Sequence, residues 1–148
     1  MSINGGSTTV LAGQTSNGFV NGQGTAAMFN NARGLVIHPV TGVIYITDAN
    51  NNRIRTCTPS GYVSTLTGNG GSYPTNVGNV DGSSSVATFY GPAGIVMDST
   101  SSNLYVTCAN ANTLRKLVLS TVYTTTIVSS GTFTYPRYVS DDYYIWSI

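Results

Sequence analysis

Residues 34–68, GLVIHPVTGVIYITDANNNRIRTCTPSGYVSTLTG, decide the fold of this chain. Short apolar and β-branched runs alternate in this stretch with turn residues, and such runs favour strands. Pro presets φ in the turns, whereas Gly, Asn and Asp accept left-handed geometry there. The pattern predicts a four-stranded antiparallel meander with strands at 35–38, 43–47, 53–58 and 62–66.

The same pattern returns sixty positions later without a gap. The matched pairs include Gly22 and Gly82, Phe29 and Phe89, Gly34 and Gly94, Tyr45 and Tyr105, Asn52 and Asn112, and Arg55 and Arg115. A one-residue insertion then aligns 62–66 with 123–127. Because one such sheet cannot bury both of its faces alone, a repeated four-strand unit predicts propeller blades. Phe29 and Phe89 are predicted to fill the core between blades.

Partial segments flank the two full units. Residues 8–13 copy 64–68, so we expect them to form the fourth strand of a blade whose first three strands are absent from the sequence. Residues 136–140 and 143–148 are expected to form the first two strands of a third blade. The predicted class is therefore all-β, with two full blades plus strands of a third. One partial propeller would span residues 1–148, with repeat units at about 8–68 and 69–128 and an incomplete third repeat at 129–148.

These repeats resemble the NHL repeat. The resemblance rests on Gly22, Phe29, Gly34-Leu35, Asp48-Ala49-Asn50 and Arg53-Ile54-Arg55 with their counterparts sixty positions on, and it weakens after residue 128. It implies a β-propeller, six-bladed when complete, with first strands along the axis and fourth strands outside. It implies no single activity, since family members include binding modules, RNA readers, sensor ectodomains and a zinc-dependent lyase. Cys108 replaces the family's acid, which is Asp48 in the first repeat, so an Asp–Arg bond at this turn is expected only there. Arg55 and Arg115 are accordingly interpreted as structural.

Composition excludes several kinds of partner. Charged residues make up 7% of the 148 residues, against about 25% in typical domains. The six cations are scattered along the sequence, so no stripe forms that would neutralise several phosphates of a nucleic acid. No apolar run approaches the roughly 20 residues of a membrane span, and the N-terminus does not have the pattern of a signal peptide. We therefore expect no nucleic-acid partner and no membrane insertion.

The sequence offers little for catalysis. His38 is the single histidine, whereas the zinc-dependent relatives need several, and we expect its side chain to face a turn. No Ser or Cys has a second His to pair with for nucleophilic work. Cys57 and Cys108 occupy different repeat positions, so two separate buried thiols are favoured over a bridge between blades. The sequence thus predicts no enzyme, no cofactor and no metal site.

Two functions remain open at this point. An incomplete propeller exposes strand edges, which favours a structural protein that self-associates into a ring or a filament. The candidate assembly strands are Thr8, Thr9, Val10 and Leu11 at one end and Tyr143, Tyr144, Ile145 and Trp146 at the other. The alternative is a ligand- or protein-binding NHL propeller module, a fragment of a larger protein. Partners would then be copies of the chain, other proteins or glycans, and the low charge suggests an extracellular or cell-surface location.

Overall fold

The computed structural model describes residues 7–71, 77–129, 136–139 and 145–147. Within them the chain forms eleven strands and two short 3-10 turns, at Gly24–Ala26 and Ala49–Asn51. The strands are β1 (Gly22–Gln23), β2 (Ala32–Ile37), β3 (Ile44–Asp48), β4 (Arg53–Cys57), β5 (Tyr62–Thr67), β6 (Pro92–Met97), β7 (Asn103–Cys108), β8 (Thr113–Val118), β9 (Tyr123–Val128), β10 (Pro136–Val139) and β11 (Ile145–Ser147).

The strands form the predicted antiparallel blades. Sheet order is β1-β5-β4-β3-β2 in the first blade, β6-β7-β8-β9 in the second, and β10-β11 in the third. The all-β, propeller-type fold class is therefore confirmed. Asn52 and Asn112 adopt left-handed φ values of 55° and 53° after the second strand of each blade, as the Asn-rich turns predict.

Strand β1 was not predicted from the sequence. The crossover segment turns back at Gly22–Gln23 and pairs with Tyr62 and Val63 of the outer strand β5. In the second blade, Gly82 makes the corresponding bridge to Thr124 of β9. Each crossover therefore covers the outer strand of the blade that follows it in sequence.

The main core lies between the first two blades. Tyr45 and Ile54 of the first blade pack with Leu104 and Leu117 of the second, beside the fully buried Phe89. Burying a large apolar side chain contributes roughly 1.5–3 kcal/mol, so this interface joins the two sheets strongly. The prediction that Phe89 fills the core between blades is confirmed.

The opposite face of the first blade is open. Leu35 and Ile37 on β2 are 64% and 54% exposed, whereas their counterparts Ile95 and Met97 on β6 are 6% and 8% exposed. The difference arises because the first blade covers this face of the second, whereas on the first blade Ala12, Ala27 and Phe29 of the crossover pack over the later strands and leave Leu35 and Ile37 exposed. Apolar residues at equivalent repeat positions are thus exposed in the first blade and buried in the second.

Buried arginines fasten the crossovers to their own blades. Arg55 is fully buried and donates to the backbone oxygens of Met28 at 3.2 Å and Val20 at 3.0 Å. It also pairs with Asp48 at 2.7 Å and bonds Asn21 at 2.7 Å. The interpretation of Arg55 as structural is confirmed.

Arg115 makes the same contacts one repeat later. It donates to the carbonyl oxygens of Thr88 at 2.7 Å and Val80 at 2.9 Å. Its acid is Asp81, at 3.0 Å, which lies at the position of Asn21. The expectation that the Asp–Arg bond at the second-strand turn occurs only in the first blade is confirmed for the described residues. The second blade instead carries its acid on the crossover.

The predicted strand at the N-terminus is not formed. Residues 7–13 are in no strand, and Thr8, Thr9, Val10 and Leu11 are exposed. A fourth strand needs a third strand beside it to satisfy its backbone groups, and no described strand offers one. At the other end, Ile145 and Trp146 pair with Val139 and Tyr138, which confirms that part of the predicted third blade. Tyr143 and Tyr144 lie outside the described residues.

Candidate functional site

The first strands of all three blades carry a β-bulge at the same repeat position. The register shifts between Ala32 and Leu35 in β2, between Pro92 and Ile95 in β6, and between Pro136 and Tyr138 in β10. Each shift places one extra residue on the first strand. Bulges redirect side chains and occur often beside functional sites. The bulge shared by the three first strands therefore indicates a candidate functional site.

The bulged residues line one cavity, which we name the axial pocket. Its walls are Arg33 and Gly34 of β2, Ala93 and Gly94 of β6, and Arg137 of β10, and its volume is about 290 Å³. Strand β6 packs beside both β2 and β10, so three blades contribute to one concave site. Arg33, Ala93 and Arg137 occupy equivalent repeat positions.

The floor of the axial pocket is held by two threonines from the second strands. The Thr47 hydroxyl accepts the Gly34 N–H at 2.8 Å and donates to the Ala93 carbonyl at 2.7 Å. The Thr107 hydroxyl accepts the Gly94 N–H at 2.8 Å. A Cβ on Gly34 would lie 2.5 Å from the Ala93 oxygen, so only glycine allows β2 and β6 to approach this closely.

The two pocket arginines are exposed and have no described partner. Neither Arg33 nor Arg137 forms an ion pair or a hydrogen bond with any residue in the described ranges. Arg53 differs, because its guanidinium donates to the oxygens of Asn51 and Asn69 at 3.2 Å and stacks on Phe19. The axial pocket is therefore lined by positive charge that the described chain does not neutralise.

The described acids are engaged elsewhere. Asp48 pairs with Arg55, and Asp81 accepts from Arg115 and Thr126. Burial raises the pKa of Asp81, but the bonds from Thr126 and the charge of Arg115 outweigh it and bring that pKa below its usual value. No described carboxylate lines the pocket.

Asp98 and His38 serve the turns at the ends of their strands. Asp98 accepts bonds from Thr100, Ser102 and Asn103. Burial raises the pKa of Asp98, but these bonds outweigh it and bring that pKa to about 2. The His38 Nδ1 accepts the backbone N–H groups of residues 40 and 41 at 3.2 and 3.3 Å. The expectation that His38 faces a turn is confirmed.

Neither the cysteines nor any other described group of potential metal ligands forms a second candidate site. Cys57 and Cys108 are both buried and free, which confirms the prediction of two separate thiols. Burial raises the pKa of each thiol. In the part of the chain that the structure describes, no three His, Cys, Asp or Glu side chains form a group that could hold a metal ion. No helix among the described residues is long and apolar enough to cross a membrane.

The axial pocket was not predicted from the sequence. The six cations are scattered along the sequence, whereas the fold brings Arg33 and Arg137 to one cavity. The signal was present in the repeat alignment, where both residues fall on Ala93. The predicted assembly residues Thr8–Leu11 do not line this pocket, and the proposed role of both predicted assembly segments stays a prediction.

The sequence matches no protein-family model and no curated protein. Three solved structures from Bacteroides are similar in fold. An auxiliary nutrient binding protein from Bacteroides thetaiotaomicron is 29% identical, with a TM-score of 0.55 over 65% of this chain and 25% of its own. A candidate phosphatase from the same organism is 28% identical, with a TM-score of 0.62 over 80% of this chain and 26% of its own.

The third, an auxiliary nutrient binding protein from Bacteroides ovatus, is 18% identical, with a TM-score of 0.62 over 80% of this chain and 34% of its own. That similarity concerns the fold alone. The chain spans between 25% and 34% of the length of these three structures.

Proposed function

We propose that this chain is a non-enzymatic binding unit of a β-propeller and that it holds a small molecule in the axial pocket. One observation carries the proposal: the same bulge in three successive first strands directs residues of three blades into one cavity. Under this proposal residues 1–148 form one partial NHL-type propeller, with repeat units at about 8–68 and 69–128 and an incomplete third at 129–148.

The dimensions of the axial pocket suit a small ligand. Its volume of about 290 Å³ lies at the lower limit of ligand pockets, which are roughly 300–1,000 Å³. The pocket sits on strands fixed by Thr47 and Thr107 rather than on loops, so its walls are preorganised. The nutrient-binding neighbour of 29% identity supports binding as the class of function.

The residues of the pocket favour binding over turnover. The phosphatase-like neighbour raises the question of phosphoryl transfer. Guanidinium groups recognise phosphate, but the described walls of the pocket are Arg, Gly and Ala, and these described residues supply neither a nucleophile nor a general base. His38 is occupied in its turn. We therefore infer that a bound molecule leaves unchanged, and that the chain acts at the cell surface or outside the cell, as its low charge suggests.

Amide-resolved NMR tests this proposal. The ¹⁵N-labelled chain would be titrated with a panel of neutral sugars, amino acids, organic acids and phosphate esters. At least one compound should shift the Gly34 and Gly94 resonances, and proton spectra should show that compound chemically unchanged after incubation. Conversion of the compound, or binding that shifts only residues outside the axial pocket, would refute the proposal.

Self-association is the second candidate, and the open face of the first blade favours it. Leu35 and Ile37 are exposed where Ile95 and Met97 are buried against a neighbouring blade, so another copy of the chain could cover them. In this scheme Thr8–Leu11 of one copy pairs with the Ile145–Trp146 end of the next as an added strand. Repeated head-to-tail contacts would give a ring or a filament.

Sedimentation velocity separates this candidate from a purely monomeric binding unit. The full chain should sediment as an oligomer, and deleting residues 1–13 or introducing Leu35→Ser with Ile37→Ser should return it to a monomer. A full chain that stays monomeric at high concentration would eliminate self-association and leave the binding proposal intact.

A further inference from the structure

We propose that the ligand of the axial pocket carries an oxyanion group, a carboxylate or a phosphate, bound between Arg33 and Arg137. This inference rests on the proposed function and specifies the chemical class of its ligand. It follows from the charges that line the pocket, the small residue at the equivalent position of the middle blade, and the occupation of the two glycine N–H groups.

The described acids do not neutralise the two arginines of the pocket. In the described part of the chain Asp48 and Asp81 pair with buried arginines, and Asp98 accepts bonds within its own turn. Arg33 and Arg137 make no described ion pair, yet both line one cavity. Like charges brought together repel, and a cleft of one sign concentrates counter-ions. An anion from solution would relieve this repulsion.

The middle blade leaves space for that anion. Ala93 stands at the repeat position that Arg33 and Arg137 occupy on the flanking blades, and Gly34 and Gly94 present no side chain. A guanidinium offers a planar fork of donors that matches the two oxygens of a carboxylate or phosphate. Two such forks on either side of a small residue can bind one oxyanion from both sides.

The two glycine N–H groups of the pocket already have acceptors. The Gly34 and Gly94 N–H groups donate to Thr47 and Thr107, so they do not compete for the ligand. The inference therefore assigns the affinity for an anion to the two arginine side chains. This makes the inference testable by side-chain substitution, because no described glycine amide of the pocket can substitute for a lost guanidinium.

Calorimetric titration at low ionic strength tests the inference with three probes: inorganic phosphate, citrate and the neutral sugar maltose. The variants are Arg33→Gln, Arg137→Gln, and the two combined. Lys116→Gln is the matched control, because it removes the same charge from a residue that does not line the pocket. Thermal melting would confirm that each variant remains folded.

The expected result is binding of phosphate, citrate or both. Each arginine substitution should weaken this binding about tenfold or more, because hydrogen bonds to charged groups contribute more than those between neutral groups. The double variant should bind neither anion, and Lys116→Gln should bind like the wild type. Comparing the affinities for phosphate and citrate identifies which oxyanion the pocket prefers.

Two results would overturn the inference. Equal weakening by Lys116→Gln and the arginine variants would show nonspecific attraction to net charge, and anion binding that survives the double variant would place the anion elsewhere. If maltose shifts the Gly34 and Gly94 resonances and neither anion binds, the inference that the ligand carries an oxyanion is refuted. The proposed function then remains supported. If neither maltose, the anions nor any other panel compound shifts those resonances, both proposals fall.

Discussion

Replacing Asp48 with asparagine should destabilise the chain by about 3–5 kcal/mol, the cost of leaving a buried charge without its partner. Asp48 and Arg55 are both fully buried and lie 2.7 Å apart. The same carboxylate also accepts the Asn30 N–H and the Asn51 side-chain amide, each at 2.8 Å. An asparagine amide at this position carries no charge, and its NH₂ group would face the donors that now bind the carboxylate. A loss of this size is a large share of the roughly 5–15 kcal/mol that stabilises a typical domain.

Asp81→Asn is the matched control in the second blade. Its carboxylate bonds Arg115 at 3.0 Å, but its side chain is 42% exposed, so water can replace much of the lost interaction. Arg115 also keeps its bonds to two backbone oxygens. Because Arg115 itself is buried, the same change of carboxylate to amide should cost about 1–2 kcal/mol, which is still less than the cost of Asp48→Asn.

The repeat also offers a rescue. Asp48→Cys copies the second blade, where Cys108 stands at that position, and it should destabilise as Asp48→Asn does. Adding Asn21→Asp places an acid where the second blade has Asp81, within reach of the Arg55 guanidinium that now bonds Asn21 at 2.7 Å. The double variant should regain at least half of the lost stability.

Urea denaturation followed by tryptophan fluorescence and far-ultraviolet circular dichroism measures these free energies, provided that the slope of the transition is the same in every variant. Equal losses for Asp48→Asn and Asp81→Asn would refute the reasoning from burial. A double variant no more stable than Asp48→Cys would refute the equivalence of the two arginine networks.

Three further predictions concern pH, packing and the thiols. The pKa of Asp98 is about 2 in the folded chain, below its ordinary 3.8, so its stabilisation is complete above pH 4 and is lost as pH falls towards 2. Asp98→Asn should reduce the loss of unfolding free energy between pH 4 and pH 2 by about 1–2 kcal/mol, measured by denaturation at a series of pH values. Ile95→Ala should cost about 2–5 kcal/mol and Leu35→Ala less than about 0.5 in a monomer, because only Ile95 is buried; similar costs in urea titrations would show that the face bearing Leu35 is covered in solution. Cys57 and Cys108, whose pKa values burial raises, should react with a thiol reagent only as the chain unfolds, and a fast reaction in the native state would contradict their burial.

The strands and blades were predictable because they follow from local chemistry. Alternation of apolar residues, Asn-rich turns and the sixty-residue period all act within one repeat. The N-terminal strand at 8–13 was predicted wrongly for the same reason: its sequence copies a fourth strand, but a strand also requires a partner, and sequence similarity does not supply one. The short strand Gly22–Gln23 was missed because two residues carry no periodicity.

The axial pocket could not be predicted from the sequence, because it depends on the three-dimensional arrangement of the blades. Its location depends on a one-residue bulge in each first strand, and a bulge leaves no reliable mark in a sequence of this composition. Arg33 and Arg137 are more than a hundred positions apart and line the same cavity only because β2 and β10 both pack beside β6. The repeat alignment could have indicated their equivalence but not their proximity.

The arginine that fastens each crossover to its own sheet has a consequence for how such chains change over generations. Arg55 and Arg115 reach the same carbonyl positions of their own repeats, and Gly22 and Gly82 bridge to their own outer strands. A duplicated gene segment of about sixty codons would therefore encode a sheet whose outer strand is already covered by its own crossover. Only the flat surface against the next sheet would need to be compatible, and that surface is inherited with the copy. Propellers with different numbers of blades can arise in this way without new contacts between crossover and sheet.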